Sequence, residues 1–141
     1  MPSIRRVTDD FAVAPQLTPE DVPALGGRLS LLINNRPDGE AHDQPAHEDM
    51  EAAAREAGLD YVFVPISGLP RPEQAEAMRE AVGRAEGPAL AFCRSGTRSI
   101  VAWALGEALA GRPPGELRRL AARAGYDVGP ALQALLPELS G

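Results

Sequence analysis

The chain has 141 residues, enough for one domain with a real core, and its 44% hydrophobic and 24% charged content is that of an ordinary soluble globular protein. A net charge of −6 argues against a nucleic-acid or anionic-membrane surface. All 14 basic residues are arginines, which excludes a lysine nucleophile or Schiff base, and the single cysteine, Cys93, excludes an internal disulfide and suits a reducing compartment.

The N-terminus, "MPSIRRVTDDFAVAP", turns acidic where a signal peptide would turn apolar, and no apolar run approaches the roughly 18 residues that span a bilayer. The expected location is the cytoplasm. "FAVA" (11–14) is a short apolar run. "PQLTPEDV" then opens a helix, with Thr18 as a candidate N-cap and Pro19 at the first helical position, and "GG" (26–27) ends it. "LSLLIN" (29–34) reads as a buried strand, followed by turn chemistry in "NRPDGE". "HEDMEAAAREAG" (47–58) predicts a helix closed by Gly58, and "YVFVPI" (61–66), β-branched and aromatic, a strand. A second strong helix covers 71–87, and "ALAF" (89–92) is a short buried strand. From about Thr97 a helix follows with Val101, Ala104, Leu105, Ala108 and Leu109 on one face, and Trp103 in the core. "GRPPG" (111–115) breaks it. Residues 116–125 predict another helix, whose Arg118, Arg119 and Arg123 read as a solvated face. Residues 129–139 predict a last short one, interrupted by Pro137. There is no repeat, low-complexity tract or linker, so residues 1–141 read as one domain.

Strands alternating with helices predict an α/β domain of three layers. Its sheet is mostly parallel, with four or five strands and helices on both faces. Active sites in such sheets gather at the carboxyl ends of the strands. Cys93 sits just past one such end, in the turn Cys93-Arg94-Ser95-Gly96-Thr97-Arg98. A thiol there meets the N–H groups and positive dipole of the coming helix, and two guanidiniums add to these; all favour thiolate, which is a nucleophile. Gly96 can take positive φ, curling successive N–H groups inward as an anion nest, and Arg98 can clamp an oxyanion bidentately. His42 and His47, in "AHDQPAH", could supply metal ligands with Asp43 or Glu48, but nothing completes a set, and a solvated loop and helix start is the better account. No metal or cofactor is expected.

"CRSGTRS" resembles the active-site loop of single-domain rhodaneses, which carry a persulfide on this cysteine. It also resembles the Cys-x5-Arg loop of tyrosine and dual-specificity phosphatases, with one residue fewer. The ordered series "QLTPEDVPALGG", "LLINNRPDGE", "EAAAREAGLDYVFVPI", "GLPRPEQAEAMREAV" and "AFCRSGTRS" resembles the bacterial phosphatase-like domain found beside β-lactamase-like hydrolases and sulfide:quinone oxidoreductases. That family is often labelled a sulfur transferase. The resemblance implies a dual-specificity-phosphatase-like fold and a small anionic substrate: thiosulfate, a persulfide or a phosphate ester. It also implies a possible sulfide-oxidising partner enzyme.

Three departures weigh on the reaction. Four residues separate Cys93 from Arg98, as in rhodaneses, giving a smaller ring of N–H groups. Phe92 stands where phosphatases have histidine. The loop "SGLPRP" lacks the general-acid aspartate of dual-specificity phosphatases, so Asp38 or Glu40 would have to replace it if their turn faces Cys93. Arg36 is either a second anion clamp or a solvated charge. The first expectation is a sulfurtransferase acting through a Cys93 persulfide, with Arg94, Ser95, Gly96, Thr97, Arg98 and Ser99 as the anion cradle. The alternative is a phosphatase with a phosphocysteine intermediate, and a second alternative is a non-catalytic module that binds an anion or a partner.

Overall fold

Five short strands, five α-helices and one 3₁₀ helix follow one another along residues 3–136, the part of the chain that the computed structural model describes. In chain order they are β1 (Arg5–Arg6), β2 (Phe11–Ala14), a 3₁₀ helix (Pro19–Leu25), β3 (Leu31–Asn34), α1 (His47–Glu56) and β4 (Asp60–Phe63). Then come α2 (Pro72–Arg84), β5 (Ala89–Phe92), α3 (Thr97–Leu109), α4 (Pro114–Arg123) and α5 (Gly129–Leu135). The sheet order is β1-β2-β5-β3-β4. Every pairing is parallel except β1 with β2, so the expected mostly parallel sheet with helices on both faces is what forms.

The pleat explains why whole strands are apolar. On one face Phe11, Val13, Leu31, Ile33, Ala89 and Ala91 pack against α2, α3, α4 and α5. On the other, Ala12, Ala14, Leu32, Leu90 and Phe92 meet Val22, Leu25, Met50 and Ala54 of the 3₁₀ helix and α1. A strand covered on both faces has no polar side to show. β5 lies at the centre of the sheet and is fully buried.

Several elements depart from the sequence expectation for identifiable reasons. The segment 19–25 is 3₁₀ rather than α, because Pro23 inside it has no N–H to continue an α ladder. Thr18 is its N-cap and Pro19 opens it, as expected, and the Thr18 N–H and hydroxyl both donate to the Asp21 carboxylate. β1 went unforeseen because it is two exposed arginines on a sheet edge, with no apolar pattern to announce it. α3 does not show one apolar face but buries nine of its residues, since α2, α4 and α5 cover what the sheet does not. Trp103 is core, stacked on Phe11 with ring centroids 5.6 Å apart. Arg118, Arg119 and Arg123 are exposed, as expected. The interruption expected at Pro137 lies outside the described residues. No helix of the described residues is long and apolar enough to cross a membrane.

Candidate active site

The carboxyl ends of the parallel strands converge on one loop. β5 ends at Phe92; Cys93 follows, and the chain turns through Gly96 into α3. Neighbouring strand ends hold this turn. The Asn35 N–H, past β3, donates to the Phe92 carbonyl at 2.8 Å, and the Gln16 N–H, past β2, donates to the Arg94 carbonyl at 3.2 Å. Gly96 adopts φ +92°, a left-handed conformation that other residues take only with strain. At this turn the Gly96 N–H donates to the Cys93 sulfur, 3.1 Å away. Of the N–H groups expected to gather around Cys93, that of Gly96 meets the sulfur, at the position where glycine permits the turn. Cys93 is fully buried, Arg94, Ser95 and Thr97 are exposed, and the Ser95 hydroxyl donates to that of Thr97. Ser99 is also buried, and its Oγ has no protein partner.

Arg98 is held in place by groups from two other strand ends. Its Nη1 donates to the Ile66 carbonyl at 2.8 Å and to Glu40 Oε2 at 2.7 Å, while Nη2 donates to Glu40 Oε1 at 2.9 Å. Glu40 thus takes the Nη1–Nη2 end of the planar fork. Among the described residues no carboxylate meets the Arg98 Nε–H, and the Cys93 charge lies near enough to reinforce the Glu40 effect that raises the Arg98 pKa. Arg36 is not a solvated charge: only 6% exposed, it donates from Nε to Glu40 at 3.0 Å and from Nη1 to Gln16 Oε1 at 3.1 Å.

The turn "NRPDGE" does face the loop, but through Glu40. Asp38 Oδ1 accepts from the His47 N–H at 2.8 Å, so its carboxylate serves the start of α1. Hydrogen bonds from Arg98, aided by those from Arg36 and opposed by burial, hold Glu40 down at about 2 from an ordinary 4.5. It is ionised at neutral pH and cannot there act as a proton donor. His42 is exposed, while His47 stacks on Phe63 with centroids 4.0 Å apart. The ligand atoms of Asp38, His47 and Glu48 lie within 4.8 Å of one another, with His47 Nε2 4.0 Å from Asp38 Oδ2 and 3.6 Å from Glu48 Oε1.

A stability prediction follows from the Glu40 network. Its folded-state pKa lies below the unfolded one, so its contribution is complete above about 4.5 and is lost as pH falls toward about 2. The carboxylate keeps 28% exposure, which discounts the full shift. Glu40→Gln is expected to cost about 1–2 kcal/mol at neutral pH. Urea unfolding of both proteins should show that gap at neutral pH and its narrowing near pH 3.

A parallel sheet of this order, with a cysteine-to-arginine loop between its central strand and a buried helix, defines a phosphatase-like enzyme domain. It shares the architecture of solved phosphatases, with PTPMT1 in complex with PI(5)P superposing at a TM-score of 0.75 over 96% of this chain and 93% of that one, at 13% identity. The chain belongs to the family described as beta-lactamase hydrolase-like protein, phosphatase-like domain, whose model matches residues 3–110. It is 40% identical over 110 residues to a beta-lactamase hydrolase-like protein of Agrobacterium fabrum, covering 76% of this chain and 25% of the relative. A Xylella fastidiosa protein of the same name is 42% identical over 103 residues, covering 72% of this chain and 24% of that one. The chain thus spans about a quarter of the length of these curated relatives. A solved Neisseria meningitidis structure described as a candidate phosphatase is 30% identical, with a TM-score of 0.81 over 95% of this chain and 96% of that one. These relatives give no support to a sulfurtransferase, a rhodanese-type persulfide or a sulfide-oxidising partner.

Proposed function

We propose that the chain hydrolyses phosphate esters through Cys93. The observation that carries this reading is the aim of the Gly96 N–H at the Cys93 sulfur beside the braced Arg98 fork, on a phosphatase fold. The sulfur, as thiolate, attacks phosphorus. An S–P bond forms, the P–O bond to the leaving group breaks, and that oxygen departs with the electron pair. Water then attacks phosphorus, the S–P bond breaks, and phosphate leaves as the thiolate is restored. The exposed edge of the loop, Arg94, Ser95 and Thr97, supplies backbone N–H groups to the phosphoryl oxygens, and the Nε–Nη2 edge of Arg98 binds two of them.

Proton delivery shapes the substrate range. Glu40 is ionised and Asp38 is engaged with His47, so the reading assigns neither the proton of the leaving group. Esters of acidic alcohols, such as aryl phosphates, are the preferred class, because their oxygen departs with little help. The test is acid-quench mass spectrometry of the protein turning over p-nitrophenyl phosphate, alongside a sample exposed to thiosulfate. The expected result is one phosphoryl group on Cys93. A sulfur atom gained from thiosulfate, with no phosphoryl adduct and no turnover, would replace the phosphatase reading with sulfur transfer, the reaction that the short Cys-to-Arg spacing favours.

A further inference from the structure

The turn after α4 brings Tyr126, far along the chain and beyond the stretch matched by the family model, onto the cysteine loop. Its hydroxyl donates to the Ser95 carbonyl at 2.9 Å. The amide on the other side of that same peptide unit is the Gly96 N–H, which donates to the Cys93 sulfur at 3.1 Å. One rigid peptide plate thus carries a hydrogen bond at each end. A planar peptide cannot bend between its oxygen and its nitrogen, so fixing one end fixes the direction of the other. A donor on the carbonyl also polarises the plate and strengthens what its N–H offers.

We propose that Tyr126 is a positioning residue for Cys93, which holds the Ser95 carbonyl so that the Gly96 N–H stays aimed at, and polarised toward, the sulfur. The local structure supports this role. A Cβ on Gly96 would collide with the Tyr126 hydroxyl, so glycine here serves both the left-handed turn and the approach of the phenol. Tyr126 is itself anchored: its N–H donates to the Ala121 carbonyl at 2.9 Å, at the end of α4, and Gly125 before it turns at φ +94°. Burial, joined by the Cys93 charge and opposed by Arg5, raises the phenol above its ordinary 10.0, so it remains a donor at neutral pH. The sulfur is thereby tuned by a side chain that need not touch it.

This inference rests on the reading of Cys93 as a nucleophile, and its test separates the two. Tyr126→Phe keeps the ring and removes only the donor. Far-ultraviolet circular dichroism and melting should match the natural protein. In a ¹⁵N–¹H spectrum the Gly96 amide should move, a signal that a purely packing role for the ring would leave in place. Iodoacetamide alkylation of Cys93 at neutral pH should slow about two- to tenfold, the effect of losing one ordinary hydrogen bond. If the natural protein alkylates fast and the variant alkylates equally fast with Gly96 unmoved, the positioning role is overturned while the nucleophile stands. If the natural protein alkylates no faster than a free thiol, the nucleophile reading fails and the inference falls with it.

Discussion

Cys93→Ser should abolish aryl-phosphate turnover, lowering it by about 10⁴-fold or more, because a serine hydroxyl stays protonated at neutral pH where a thiolate attacks. Among the described residues no basic acceptor is hydrogen-bonded to position 93 to rescue it. The partner of the sulfur is the Gly96 N–H, which donates and accepts nothing. The fold should be indifferent, since serine fills nearly the same space in a site that is fully buried but not apolar. The ground-state anion site proposed above should survive, because the donors assigned to it are backbone N–H groups and Arg98. The decisive pair of measurements is therefore single-turnover hydrolysis and calorimetric binding of inorganic phosphate. Loss of both would signal a damaged loop, and retained turnover would show that another group attacks phosphorus.

Arg98→Lys comes second, with an expected loss of about 10²–10³-fold in kcat/KM, the usual scale for removing a donor that meets developing charge. The substitution keeps the charge, so geometry decides the outcome. Arg98 makes three hydrogen bonds to Glu40 and the Ile66 carbonyl, while among the described residues no carboxylate meets its Nε–H. A lysine has one nitrogen with which to do all of this, and Glu40, ionised and close, would capture it. The loss should fall on kcat as well as KM, because the phosphoryl group spreads charge over its oxygens as it transfers. Steady-state kinetics with p-nitrophenyl phosphate measure this directly, and an unchanged kcat/KM would remove Arg98 from the site.

Much of the fold was legible because its strands are short, apolar and bounded by turn residues, as in "LLIN" before "NRPDGE". The loop was legible too, since a lone cysteine, a glycine and an arginine between strand and helix have few structural reasons to coincide. What escaped the sequence depends on contacts between distant segments. Nothing local says that Tyr126 reaches Ser95, because that meeting depends on how α4 and the turn after it pack. The choice between Asp38 and Glu40 was also hidden. Both sit in one turn, two residues apart, and only the fold shows that Asp38 meets the start of α1 while Glu40 meets two arginines. Arg36 stayed open between an anion clamp and a solvated charge for the same reason: its partners Gln16 and Glu40 come from the fold, and Gln16 lies far from it in sequence.

The loop is continuous with the two most enclosed pieces of the molecule: the central strand of the sheet and a helix wrapped by three others. Breathing motions in proteins begin where backbone is exposed and contacts are few, and neither applies to the strand before the loop or to the body of the helix after it. Moving either end of the loop would mean lifting β5 from both its neighbours or drawing α3 from its sheath. The cradle is thus a rigid mould rather than a hand that closes. Any gating must come from the exposed residues of the loop, Arg94, Ser95 and Thr97, and not from the buried Cys93.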